Sequence, residues 1–292
     1  MDSTHDIRDH PLAQAWEVLQ AQHTQGEALQ VDSNRLAFAD PEFLLRRETR
    51  GIRFQLEMLK PDLAQQERGI EHTVVVFGSA RFRSEQDAQE QLREAQASGD
   101  ASAIARAQTL LKNARYYEMA RAFGRRVAEH SLSQVKAEQM FVCTGGGPGI
   151  MEAANRGAFD VGCKSIGLNI KLPSEQQPNP FITPELCFQF KYFALRKFHF
   201  ILRAAAVVLF PGGFGTLDEM FETLTLRQTH RMQPVPIILF GRDYWSKVIN
   251  FQFLADSGVI SDDHLKLFTY AETPEEAWEQ IVVFHDSLKK QD

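Results

Sequence analysis

The sequence predicts an α/β protein with a doubly wound, mostly parallel sheet flanked by helices, preceded by a helical extension, and three observations carry that prediction. Short apolar runs rich in Val, Ile and Leu alternate with longer segments of helical pattern, the arrangement that pairs strands in parallel through right-handed crossovers. Three of the runs end in glycine-rich or small-residue turns, at Gly78-Ser79, Gly145-Gly146-Gly147 and Gly212-Gly213, and ligands of such sheets bind outside the carboxyl ends of the strands. The 292 residues are 43% hydrophobic and 24% charged, ordinary globular usage with enough chain to bury a sizeable core, so disordered and fibrous classes are excluded.

Residues 1–70 are polar and helical in pattern, with Ala15, Trp16 and Leu19 and then Phe43, Leu44, Ile52, Phe54, Leu56 and Leu59 at loose helical spacing; they form the extension. Residues 71–292 form the main domain. Thr73 to Phe77 is a continuous, β-branched run suited to a strand covered on both faces. Residues 84–130, rich in Gln, Ala, Glu and Arg, read as two helices broken at Ser98-Gly99-Asp100, with 84–112 a solvated helical insertion. Met140 to Cys143 is the next strand, Ile150 to Val161 a helix, Lys164 to Ile170 a third strand and Cys187 to Phe190 a short fourth. A helix carrying Phe193, Leu195, Phe198, Ile201 and Leu202 feeds the strand Ala205 to Phe210, and a further helix runs to about His230. Val235 to Phe240 is the sixth strand, Tyr244 to Ala255 one helix and Pro274 to Leu288 the closing helix.

The net charge of −6, from 32 basic and 38 acidic residues, opposes a general affinity for nucleic acid or anionic lipid while leaving room for a local basic pocket. The longest wholly apolar stretch, Ala204 to Phe210, is far below the roughly 20 residues that a membrane span requires. Met1-Asp2-Ser3-Thr4-His5-Asp6 lacks the basic start and apolar core of a secretory signal, so a cytoplasmic protein is expected. Cys143, Cys163 and Cys187 are an odd number without close pairing, which fits reduced, buried thiols.

The glycine turns decide the chemistry. A glycine loop opening a helix is a natural phosphate seat, because free N–H groups and the positive end of the helix dipole meet there. Gly145-Gly146-Gly147-Pro148-Gly149-Ile150 places Ile150 where a dinucleotide-binding loop has its third glycine, and Asn169 ends a strand where an acidic ribose ligand would stand, so a dehydrogenase is disfavoured. The spacing Gly157 to Gly162 is interrupted by Cys163 before Lys164-Ser165, which removes a Walker loop. No G-x-S-x-G elbow and no H-E-x-x-H occurs, and His199 sits among phenylalanines where packing explains it. What remains is Pro211-Gly212-Gly213-Phe214-Gly215-Thr216-Leu217-Asp218-Glu219. Its glycines expose main-chain amides, Thr216 can cap the helix and donate to a phosphate, and Glu219 lies one turn in; the pair equally fits a capping box.

Pro211 to Glu219, taken with Gly145 to Asn155 and with Arg196-Lys197 between them, resembles the LOG ("lonely guy") family over about residues 72 to 290. That family comprises cytokinin-activating phosphoribohydrolases and bacterial relatives long labelled lysine decarboxylases. The resemblance implies a Rossmann-like sheet, at least a homodimer, and hydrolysis of the N-glycosidic bond of a purine nucleoside 5′-monophosphate (AMP or N6-modified AMP) to free base and ribose 5-phosphate. It implies Arg196 and Glu219 as the catalytic pair and Gly212, Gly213, Gly215 and Thr216 as the phosphate seat. Thr144, Gly145, Gly146, Gly147 and Gly149 are expected to line the nucleoside pocket with Gly78, Ser79, Glu152 and Lys197, while Arg81 fits a surface role equally well. Glu152 and Asn155 follow the variant of the longer bacterial relatives, which resemble AMP nucleosidases. Met151, Phe214 and Phe221 are read as packing residues.

The chemistry suits these residue types, because cleavage builds positive charge on the sugar that a carboxylate stabilises, and a permanently protonated arginine positions or polarises rather than donating a proton. No metal or organic cofactor is expected, and neither a nucleic acid nor a membrane as partner. Two other readings stand beside this one: a non-catalytic nucleotide or cofactor carrier on the same fold, and a pyridoxal-phosphate decarboxylase, against which no lysine stands in a recognisable Schiff-base context.

Overall fold

The structure, a computed structural model, describes residues 36–171 and 177–289. The chain divides into two compact units, Met1–Leu59 and Lys60–Asp292. In the first, Asp40 opens helix α1 (Pro41–Leu45) by accepting from the Phe43 N–H at 3.1 Å, and Arg50 begins α2 (Arg50–Glu67). The helical pattern at Ala15, Trp16 and Leu19 lies outside the described residues.

The second unit is built on a seven-stranded sheet of β1 (His72–Phe77), β2 (Met140–Thr144), β3 (Ser165–Ile170), β4 (Cys187–Phe190), β5 (Ala204–Leu209), β6 (Ile237–Phe240) and β7 (Thr269–Ala271). Every neighbouring pair is parallel, in the order β4-β3-β2-β1-β5-β6-β7. The connecting helices are α3 (Glu85–Ser98), α4 (Ala101–Ser133), α5 (Ile150–Phe159), α6 (Phe193–Leu202), α7 (Phe214–Gln228), α8 (Arg242–Val248), α9 (Phe251–Asp256) and α10 (Pro274–Lys289). Val74, Val75 and Val76 of β1 and Val207 and Val208 of β5 are wholly buried, so the β-branched runs are central strands covered on both faces. The doubly wound α/β fold expected from the sequence is the fold observed.

The polar segment after β1 forms two helices, as its break predicts. Ser84 caps α3 by accepting from the Asp87 N–H at 3.2 Å, Gly99 ends it in the left-handed region, and Asp100 caps α4 by accepting from the Ser102 N–H at 2.8 Å. α4 does not stop where the solvated composition stops. It runs to Ser133, about 50 Å at 1.5 Å per residue, and its later turns bury Tyr117, Ala120, Phe123 and Val127 in the core. The Tyr117 hydroxyl donates to Glu152 at 2.8 Å and Arg121 pairs with Asp160 at 2.6 Å, which fastens α4 to α5.

Two expectations are corrected. The single helix over Tyr244 to Ala255 is two helices, α8 and α9, because Ile249 is extended and Asn250 restarts the helix by accepting from the Phe253 N–H at 3.0 Å. A seventh strand, Thr269–Ala271, follows the six expected; three residues are too short to display an alternation. Cys143 and Cys163 are buried, Cys187 half-buried, and all three are free. Among the described residues no helix is long and apolar enough to cross a membrane.

Candidate functional site

From β1 the chain winds outward to β4, then returns to the other side of β1 with β5 and winds outward to β7. The connections leaving β1 and β5 therefore diverge, and the crevice that this reversal opens at their carboxyl ends is where doubly wound sheets bind ligands. A cleft of about 1000 Å³ lies there, lined by the turn after β1 (Gly78, Ser79, Arg81, Phe82), by Pro211 to Glu219 after β5, by Met151, Phe193 and Arg196, and by residues of α4 and α8.

The loop after β5 turns main-chain amides toward the cleft. Gly213 is the N-cap of α7, and both the Thr216 and the Leu217 N–H return to its carbonyl at 3.0 Å, leaving the earlier amides of the turn without an intrahelical partner. The capping box that the Thr216 and Glu219 spacing allowed does not form, because the helix starts ahead of Thr216 and no side chain caps it. A side chain at Gly212 would collide with the Thr216 hydroxyl, so only glycine lets the loop close on the threonine. Tyr244 of α8 braces the loop by donating its hydroxyl to the Gly212 carbonyl.

Arg196 and Glu219 enter the same cleft from α6 and α7. The Arg196 Nε donates to the Leu168 carbonyl at 2.7 Å and its guanidinium lies 5.1 Å from the Phe200 ring centroid, so its plane is held at two points. Burial pushes the guanidinium below its ordinary value, with Glu219 opposing. Glu219 is buried at 6% exposure, and that burial pushes its carboxyl up to about 7 against the pull of Lys197 and then Arg196. Among the described residues no ion pair joins Arg196 to Glu219, and the Glu219 carboxylate makes no hydrogen bond. The cleft thus holds a buried acid poised near neutrality beside a fixed cation, with the space between them open to a ligand.

The first glycine loop stands behind this wall. Among Thr144, Gly145, Gly146, Gly147, Gly149 and Glu152 none lines the cleft. Gly149, at φ +73°, lies where a side chain would strike the Ser79 carbonyl, which instead accepts from the Ile150 N–H at 3.0 Å. The Thr144 hydroxyl donates to Asn155 Oδ1 at 2.7 Å and accepts from the Gly146 N–H at 3.0 Å, and the Gly145 carbonyl lies 3.5 Å from Arg196 Nη2. Glu152 accepts from Tyr117. Lys197, expected beside the substrate, reaches Asp218 at 2.8 Å and also pairs with Glu222, and it does not line the cleft. Gly78, Ser79, Arg196, Gly212, Gly213, Gly215, Thr216 and Glu219 line this one cleft together with Arg81. Of the three residues read as packing, Met151 borders the cleft, while Phe214 is 92% exposed and Phe221 is exposed as well.

The sequence reading missed the outer wall: Lys112, Asn113, Arg115 and Tyr116 of α4, with Asp243, Tyr244 and Lys247 of α8. One signal was present. Lys112, Arg115 and Tyr116 fall three and four residues apart on a helix and so share a face. Both lysines in this wall are exposed and Lys247 pairs with Asp243 at 2.7 Å, so neither has the desolvated setting of a Schiff-base lysine. Among the described residues no group of three or more His, Cys, Asp or Glu is placed to hold a metal ion.

Residues 151–281 match the family model described as "possible lysine decarboxylase", the older label of the LOG family. Over that segment, which takes in Arg196 and Pro211 to Glu219, the chain resembles this family. A pyrimidine/purine nucleotide 5′-monophosphate nucleosidase of Escherichia coli strain K12 is 29% identical over 120 residues, 37% of this chain and 26% of that protein. The protein of the same name in strain O157:H7 matches to the same extent, so the chain matches about a quarter of the length of these curated relatives. Among solved structures, the molybdenum cofactor binding protein of Rippkaea orientalis is 18% identical, with 73% of this chain and 97% of that chain covered at a TM-score of 0.47. The Moco carrier protein of Chlamydomonas reinhardtii is 17% identical, with 73% and 98% covered at a TM-score of 0.43.

Proposed function

We propose that this chain hydrolyses the N-glycosidic bond of a purine nucleoside 5′-monophosphate, AMP or N6-modified AMP, releasing the free base and ribose 5-phosphate. One observation carries the reading: Arg196 and Glu219 share a cleft with the amide-rich start of α7, so a phosphate on the helix leaves the attached ribose in reach of both. The nucleotide nucleosidase relatives support the same substrate class.

In the proposed reaction the phosphate rests on the amides around Gly213 and Gly215 and on the Thr216 hydroxyl. The C1′–N9 bond breaks with its electron pair leaving on the base, and the positive charge that develops on the ribose is stabilised by the Glu219 carboxylate. Water adds to C1′ and loses a proton, and the departing base gains one, so AMP and water balance adenine and ribose 5-phosphate. With its carboxyl near 7, Glu219 is suited to take the proton of the attacking water at neutral pH. Arg196, fixed by the Leu168 carbonyl, stays charged and orients the nucleotide or polarises the leaving base. The reading needs no metal or organic cofactor and includes self-association as at least a homodimer.

The test is chromatography of free bases after incubation with AMP. Adenine and ribose 5-phosphate are expected in equal amounts, and Glu219→Gln should lower turnover by about 10²-fold or more while the nucleotide still binds. Undiminished turnover in that variant removes Glu219 from the mechanism. Tight binding of AMP by the unaltered protein without any release of base makes it a carrier.

A further inference from the structure

We propose that Lys112 and Arg115 of α4, with Lys247 of α8, form a second anion subsite beside the phosphate seat of α7, and that this subsite takes a further phosphate at the 5′ end of the nucleotide. The proposal rests on the nucleotide reading above. It makes a nucleoside 5′-diphosphate a tighter ligand of this cleft than the monophosphate.

The charges of the cleft do not balance. Arg81, Lys112, Arg115, Arg196 and Lys247 line it against Asp218, Glu219 and Asp243. Asp218 is engaged by Lys197 at 2.8 Å and Asp243 by Lys247 at 2.7 Å. Among the described residues neither Lys112 nor Arg115 pairs with a carboxylate. In a chain of net charge −6, free cations gathered on one wall of a cleft favour an anionic ligand there.

Arg115 is held in place. The Arg115 guanidinium lies 4.8 Å from the Tyr116 ring centroid, and its Nη2 donates to the Tyr116 hydroxyl at 3.1 Å. Tyr116 is buried, stacks on Phe82 at 5.9 Å and backs onto Gly241, the residue before α8. One helical turn along from Gly241, Tyr244 donates to the Gly212 carbonyl. A continuous set of contacts therefore runs from Arg115 through Tyr116, Gly241 and Tyr244 to the seat of the first phosphate. Asp243 sits among the three cations, where Lys247 foremost, then Arg115 and Lys112, hold its carboxyl below the usual range. At about 1000 Å³ the cleft is at the upper end of the roughly 300–1,000 Å³ of ligand pockets, which leaves room past a single phosphate.

The experiment is calorimetric titration of the full-length Glu219→Gln protein, so that binding is read without turnover, with AMP, ADP and adenosine 3′,5′-bisphosphate. ADP is expected to bind about tenfold tighter than AMP, the scale of one added charge-assisted contact. Adding Lys112→Ala and Arg115→Ala should bring the ADP-to-AMP ratio near one, and Lys112→Arg with Arg115→Lys should keep most of it. The proposal is overturned if ADP gains nothing over AMP, if the ratio survives both alanines, or if adenosine 3′,5′-bisphosphate shows the gain in place of ADP. AMP binding without an ADP gain defeats the subsite alone, whereas failure of AMP itself to bind defeats the nucleotide hydrolase reading as well.

Discussion

Glu219 carries a large electrostatic consequence for the folded chain. In an unfolded chain a glutamate titrates near 4.3, whereas burial in α7 brings this one to about 7. Between those values the folded protein holds a proton that the unfolded chain lacks, so this residue's contribution to stability is full below about pH 4.3 and is lost as pH rises through 7. Glu219→Gln should therefore be more stable than the parent by up to about 3.5 kcal/mol at pH 8 and indistinguishable from it at pH 4, read from urea midpoints at both values. Equal stability of the two proteins at pH 8 would show that the folded carboxyl titrates in the ordinary range. In the proposed hydrolysis the carboxylate is the active form, so kcat/KM for AMP is expected to rise with pH to a plateau above about 7.

At the scale of elements, the loop leading into α5 positions the site and is itself held by a buried polar network. Asn155, wholly buried on α5, accepts from Thr144 at 2.7 Å and from Asn179 at 3.1 Å, and donates to Ser165 at 3.0 Å. The end of β2, the start of β3 and the segment before β4 thus meet at one amide. Asn155→Leu strands several of these groups without partners and should cost about 2–4 kcal/mol, seen as a lower urea midpoint at unchanged m value. Asn155 was legible in the sequence as part of a motif, but its partners are 10 to 24 residues distant and emerge only on folding. The cleft position of Gly212, Gly213 and Thr216 was legible because the proposed phosphate seat is local: one strand end, one turn and one helix start. Lys112 and Arg115 were not, because a polar helix face reads the same whether it meets solvent or a cleft. The break between α8 and α9 was hidden for a similar reason, since the apolar spacing of Tyr244, Trp245, Val248 and Phe251 continues across Ile249 and Asn250.

Considered as a whole, the second unit leaves aromatic surface uncovered on α6 and α7. Phe193, Phe198, Phe214 and Phe221 are all exposed, and Phe193 and Phe214 also border the cleft. Exposed aromatic side chains favour an interaction face, and we place the seam of the proposed homodimer there. Light scattering should return at least twice the mass of one chain, and Phe198→Asp with Phe221→Asp should shift it toward a single chain; a monomer before any substitution would refute the assembly. Ser79 has a further effect on how the molecule moves. Its amide donates to the Pro211 carbonyl at 3.0 Å, and its carbonyl accepts from the Ile150 amide at 3.0 Å. The main chain of one residue therefore rivets together the turns after β1, after β5 and before α5, and none of them parts from the others without rupturing main-chain bonding. In the proposed reaction a nucleotide enters, and its products leave, while these three turns keep their spacing.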